Sequence, residues 1–133
     1  MLHTGWCEWF LALSLAEKRQ AQESRRATGV AQSQAFVAWA WDHQLALIAA
    51  DNFALECLPP VPDTPFLHSA PNDRGMMHQQ LLAKLGMPLG ELWWLGPLSR
   101  HMKTTGNRDA LISIKPLNIT GGTGSPANAT AVV

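Results

Sequence analysis

Apolar positions along this chain fall into short groups with different spacings, so the elements they predict are short and of mixed type. From Glu8 to about Arg26, Trp9, Phe10, Leu13 and Ala16 cluster in the first half. Glu17, Lys18, Arg19, Glu23, Arg25 and Arg26 fill the second half, which predicts one helix whose distal part is a solvated face of mixed charge. Thr28-Gly29 punctuates its end, and Ser33 is placed to cap a second helix running to Trp41 or His43. Leu45 to Ala50 is an apolar run short enough to be strand or helix.

Leu58-Pro59-Pro60-Val61-Pro62-Asp63-Thr64-Pro65 can continue neither regular structure and reads as a connector, with the long segment to Gly75 as the least ordered part. Leu81, Leu82 and Leu85 then form one helical face, Gly86 suits a helix end with positive φ, and Pro88 forbids continuation. A short strand through Leu92 and Trp93 precedes a helix from Pro97 to Lys103, with Pro97 in its first turn. Asp109 to Asn118 and Ala127 to Val133 read as strands joined through the glycine-rich turn Gly121 to Ser125, and Pro116 marks an edge or bulge. The interleaved order is that of an α/β fold with helices over one sheet face.

Composition narrows the function classes more than it names one. The 133 residues suffice for one domain, and 47% apolar with 15% charged content argues against disorder. Ten basic residues balance ten acidic ones, so neither nucleic acid nor an anionic membrane is an expected partner. Cys7 and Cys57 have no metal-ribbon or disulfide-framework spacing and are expected as buried free thiols. Trp9 to Ala16 lacks the basic flank of a secretory leader, and no run reaches membrane-spanning length, which together suggest a cytoplasmic protein.

The chemistry-bearing stretch is His78 to Glu91. His78 lies roughly 12 Å before the helix stop and Glu91 roughly 16 Å beyond it, so a chain that folds back at Gly86 brings imidazole and carboxylate together. Such a pair either serves proton transfer or metal binding, or is a surface His beside a solvated Glu. The five histidines, His3, His43, His68, His78 and His101, show no HxH, HxxxH or HExxH spacing, so a complete zinc site is not evident. Asp51 is either a site-lining carboxylate or a strand-end one. Trp93-Trp94 is core, interface or the wall of an aromatic pocket. Gly121-Gly122-Thr123-Gly124 lacks the Gly-Lys-Ser/Thr ending of a nucleotide loop.

His78 through Trp93, with Pro116-Leu117-Asn118-Ile119-Thr120-Gly121-Gly122-Thr123-Gly124-Ser125-Pro126-Ala127-Asn128-Ala129, resembles the C-terminal half of the cyclase family, which includes kynurenine formamidase and isatin hydrolase. Thr4-Gly5-Trp6, Glu8-Trp9, Trp41-Asp42-His43, Ala49-Ala50-Asp51-Asn52 and Glu56 follow the same order. The resemblance implies that residues 1–133 are the C-terminal portion of one swivelling β/β/α cyclase-like domain, with short strands, three to five helices and a strand ending at Asp51. It implies a metal-dependent amide hydrolase acting on N-formylkynurenine or a related cyclic or aryl amide, using zinc or manganese. Glu91 would complete the metal shell, and His78 would act as ligand or proton-transfer partner. Asp51, Trp93, Gly121, Gly122 and Ser125 would lie near the substrate. The family's His-x-Gly-Thr-His-x-Asp-x-Pro-x-His string does not occur in the sequence, so the chain alone is expected to bind metal weakly, to be inactive, and to work within a homo- or hetero-oligomer. The alternatives are a non-catalytic subunit assembling with an intact relative, and a Trp-rich interaction module presenting the proline loop. Trp94 replaces an acidic residue of many relatives, which predicts an exposed apolar patch there.

Overall fold

The computed structural model describes residues 1–67 and 74–133. The predicted disorder after the proline connector, and His68, lie outside the described residues. The chain divides into two compact units, Met1–Leu95 and Gly96–Val133. Among the described residues no helix is long and apolar enough to cross a membrane.

In the first unit the predicted helix from Glu8 to Arg26 is two helices, α1 (Trp6–Ala12) and α2 (Leu15–Ser24). Leu13 is extended, and Ser14 and Glu17 close a reciprocal capping box, which starts a new helix in place of continuing the first. The second helix, α3 (Gln34–Asp42), begins where expected: Ser33 Oγ accepts the Phe36 amide hydrogen at 3.1 Å. Its Ala40 is buried, while Trp39 and Trp41 are exposed.

The Leu45 to Ala50 run becomes a strand, β1, only at Ile48–Ala49, and Leu2 bridges to Ala50 beside it. The segment after His78 is π-helical over Gln79–Lys84, with Leu81 buried, Leu85 partly buried and Leu82 turned outward. Gly86 ends it with φ +64°, as its sequence position predicts. The next strand, β2, is Leu89–Gly90 and not Leu92–Trp93; it pairs in parallel with β1, Ile48 opposite Leu89 and Ala49 opposite Gly90. Leu92 adopts φ +57°, which takes it out of any strand, and Trp93 turns inward against Gly90. Ala40, Ile48, Ala50, Leu55, Phe66, Met77, Leu81 and Met87 make the core.

The second unit holds α4 (Gly96–Thr105), then β3 (Leu111–Ser113) and β4 (Thr130–Val132) paired antiparallel with Leu111 opposite Val132. Both strands are shorter than the sequence suggests, because Pro116 removes a ladder donor and the Gly121 turn curls on its own contacts. Ser125 Oγ accepts the Leu117 amide hydrogen at 2.8 Å there.

Candidate active site

The chain does fold back at Gly86. His78, at the head of the π-helical segment, and Glu91, just past β2, meet with Nε2 3.0 Å from Glu91 Oε1. The other ring nitrogen, Nδ1, stands 2.6 Å from Glu56 Oε1. The imidazole therefore sits between two carboxylates of unlike setting, Glu56 fully buried and Glu91 a third exposed.

Glu56 is the residue that sequence reasoning leaves without a role. It is pinned on both sides: its backbone bridges to Val30, and its Oε2 accepts the Met77 amide hydrogen at 2.7 Å. Gly29 lies so close that a Cβ there would collide with the Leu55 and Glu56 backbone. A glycine is therefore required for the 27–30 segment to lie against the carboxylate's own strand. The available signal was a single charge within the apolar stretch Phe53-Ala54-Leu55-Glu56-Cys57-Leu58, since a carboxylate buried there needs a partner.

Electrostatically, the hydrogen bond to Glu56, then that to Glu91, raises the His78 pKa from 6.5 to about 9 against the opposing effect of burial. At neutral pH this histidine is an imidazolium with both N–H groups donated. Such a ring can deliver a proton but has no free lone pair for a metal. Among the described residues no group of three or more His, Cys, Asp and Glu side chains is arranged to hold an ion. The donor set described here does not fit a complete divalent-metal site.

Asp51 lies two residues past β1, which ends at Ala49 and not at Asp51 as expected, and it ties the amino-terminal segment down. Its Oδ1 accepts from the Thr4 amide at 2.6 Å and the Thr4 hydroxyl at 2.7 Å, and its Oδ2 from the Gly5 amide at 2.7 Å. Burial pushes this carboxyl up, and those donors more than offset it, holding the group below its ordinary range. His3 stands 3.9 Å from Asp51 Oδ2 and 3.1 Å from Glu8. Trp93 is 8% exposed and packs on Gly90 and Ala49, the core option among its three readings, with its buried Nε1 lacking a hydrogen-bond partner among the described residues. Trp94 is exposed, as expected. Gly121, Gly122 and Ser125 form an exposed or half-exposed turn of the second unit, Gly121 at φ +75°. Cys7 and Cys57 are free as expected, but half-buried and not buried.

No family model and no curated protein matches the chain. Among solved structures, one described as the crystal structure of a novel cyclase is similar over 99% of this chain, at 32% sequence identity and a TM-score of 0.77. The matched region is 39% of that cyclase, so the chain spans about two fifths of its length. The α/β fold is cyclase-like, and the similarity supports a relationship to that family.

Proposed function

We propose that this chain belongs to the cyclase family and supplies the proton-transfer side of an amide-hydrolase site, with an aryl amide such as N-formylkynurenine as the substrate class. The observation that carries this reading is the imidazole of His78 held between buried Glu56 and partly exposed Glu91. Amide cleavage requires a proton for the leaving nitrogen, because an amide anion does not depart from a tetrahedral intermediate at neutral pH. An imidazolium fixed at Nδ1 by a buried carboxylate presents Nε2–H toward the exposed side, where the proton is shared with Glu91 until substrate takes its place. Glu56 orients the ring and keeps it charged, the task of a carboxylate behind a catalytic histidine in other hydrolases.

The reading includes a divalent ion, zinc or manganese, for which the described residues do not supply a complete set of ligands. Activity is accordingly proposed for an assembly with polypeptide equivalent to the rest of the solved cyclase. The test is hydrolysis of N-formylkynurenine by the chain alone and by the chain co-expressed with that remaining portion. Turnover is expected only in the second case and is expected to fall about 100-fold or more in His78→Asn. Turnover by the chain alone, or none in the assembly, overturns the proposal. Full activity of the His78→Asn assembly would instead identify a non-catalytic subunit.

A further inference from the structure

Each of the two carboxylates that hold His78 is flanked by a leucine in an unfavourable backbone conformation. Leu55, just before Glu56, has φ +56°, and Leu92, just after Glu91, has φ +57°. Left-handed backbone crowds the Cβ of a leucine, and such conformations persist only where the surroundings fix them. Both leucines are fixed by the same residue.

That residue is Asn52, which is fully buried and so requires partners for its polar atoms. Its Nδ2 donates to the Thr28 carbonyl at 2.7 Å and, more weakly, to the Glu56 carbonyl at 3.5 Å. Its Oδ1 accepts the Ala54 amide hydrogen at 3.5 Å. The carboxamide therefore brackets Leu55 through both of its chain neighbours and ties them to the segment that carries Gly29. On the main chain, the Asn52 carbonyl accepts the Leu92 amide hydrogen at 2.8 Å, one residue past Glu91. Among short side chains only a carboxamide offers two donors and an acceptor; an aspartate would set oxygen against the Thr28 and Glu56 carbonyls.

We infer that Asn52 is the positioning residue of this site: its carboxamide sets the Glu56 arm, its carbonyl sets the Glu91 arm, and the gap that the His78 ring fills is fixed between them. Its hydrogen bonds are to backbone atoms, so it acts through the chain that carries the two carboxylates. Its value for proton delivery rests on the reaction proposed above, whereas the geometry does not, and the test reads the geometry alone.

The test follows the His78 Nδ1 hydrogen by NMR in the whole chain, with its rate of exchange with solvent, for wild type, Asn52→Ala, Asn52→Asp and Thr64→Ala. Thr64 is the control: it is also buried, and its hydroxyl donates to the Gly75 carbonyl at 2.6 Å, so the substitution removes an internal hydrogen bond elsewhere in the same unit. Exchange is expected to be at least about tenfold faster in Asn52→Ala than in wild type, faster still in Asn52→Asp, and within about threefold of wild type in Thr64→Ala. Should both Asn52 variants fail to fold, exchange in wild type under rising sub-denaturing urea gives the same answer, with the Leu92 amide and His78 Nδ1–H expected to lose protection together. An Nδ1–H indifferent to the Asn52 substitutions, an equal acceleration in Thr64→Ala, or separate opening of Leu92 and His78 would each overturn the inference. Absence of turnover in the co-expressed assembly overturns the hydrolase proposal and leaves this one standing.

Discussion

Replacing Glu56 by Gln keeps the size of the side chain and removes its charge, so it isolates what the buried carboxylate does to His78. The rise of the histidine pKa from 6.5 to about 9 corresponds to about 3 kcal/mol favouring the imidazolium in the folded chain. Because the folded pKa lies above the unfolded one, this stabilisation is complete below about pH 6.5 and is lost as pH rises through about 9. Glu56 is the leading contributor and Glu91 the second. Glutamine also puts an NH2 donor where one of the two accepting oxygens stood, so either His78 Nδ1–H or the Met77 amide loses its acceptor. Glu56→Gln is therefore expected to cost about 3 kcal/mol at pH 6, near the range for breaking a buried ion pair, and nearer 1 kcal/mol at pH 10. Urea unfolding of both proteins at several pH values measures this gap, and an NMR titration of the His78 ring locates its pKa directly. A wild-type His78 titrating near 6.5, or a stability gap that does not change between pH 6 and pH 10, would refute the reasoning.

Other substitutions probe the supports of the same site. Asp51→Asn should destabilise the chain by about 3 kcal/mol at pH 7, since one carboxylate receives three charge-assisted donors, from Thr4 and Gly5. The lowered Asp51 pKa makes that contribution present above the ordinary carboxylate range and lost as pH falls, so the difference in urea midpoint from wild type should shrink in acid and be largest near neutrality. Gly29→Ala forces a methyl into the Leu55–Glu56 backbone; a loss of about 3 kcal/mol and a lowered His78 pKa are expected together, and an unshifted His78 would show that Glu56 does not depend on this packing. Gly90→Ala meets the Trp93 ring at 2.7 Å and Ala49 Cβ at 2.8 Å, and should cost about 2 kcal/mol in thermal or urea unfolding with the His78 titration retained.

The contact between His78 and Glu91 was legible in the sequence because everything that makes it is local: an apolar helical face, a glycine able to take positive φ, and a proline that forces extension. The helix break at Leu13 was also written in the chain, as Ser14 three residues before Glu17, although the continuous charge run masked it. Glu56 was not legible as a site residue, because its partner lies 22 positions away across a proline connector and its burial depends on Gly29. The placement of β2 three residues early was equally hidden. A leucine at φ +57° is a conformation that local preference disfavours and that the packing of Trp93 onto Gly90 accompanies.

These observations bear on the two roles that resemblance left open for His78. A metal ligand must offer a lone pair, whereas a ring donating at both nitrogens has none, and His78 is held in the second condition by Glu56 and Glu91 together. Of the two carboxylates, the buried one is the harder to displace. Its oxygens are committed to His78 and to the Met77 amide, and its backbone is clamped against Gly29 and Val30. Glu91, partly in solvent, is the partner that another group could replace at Nε2. Replacement by a substrate nitrogen leaves the ring charged and aimed, which favours proton delivery. Replacement by a metal would require the ring to give up its Nε2 proton against the pull of Glu56, an opposition that Glu56→Gln would relax.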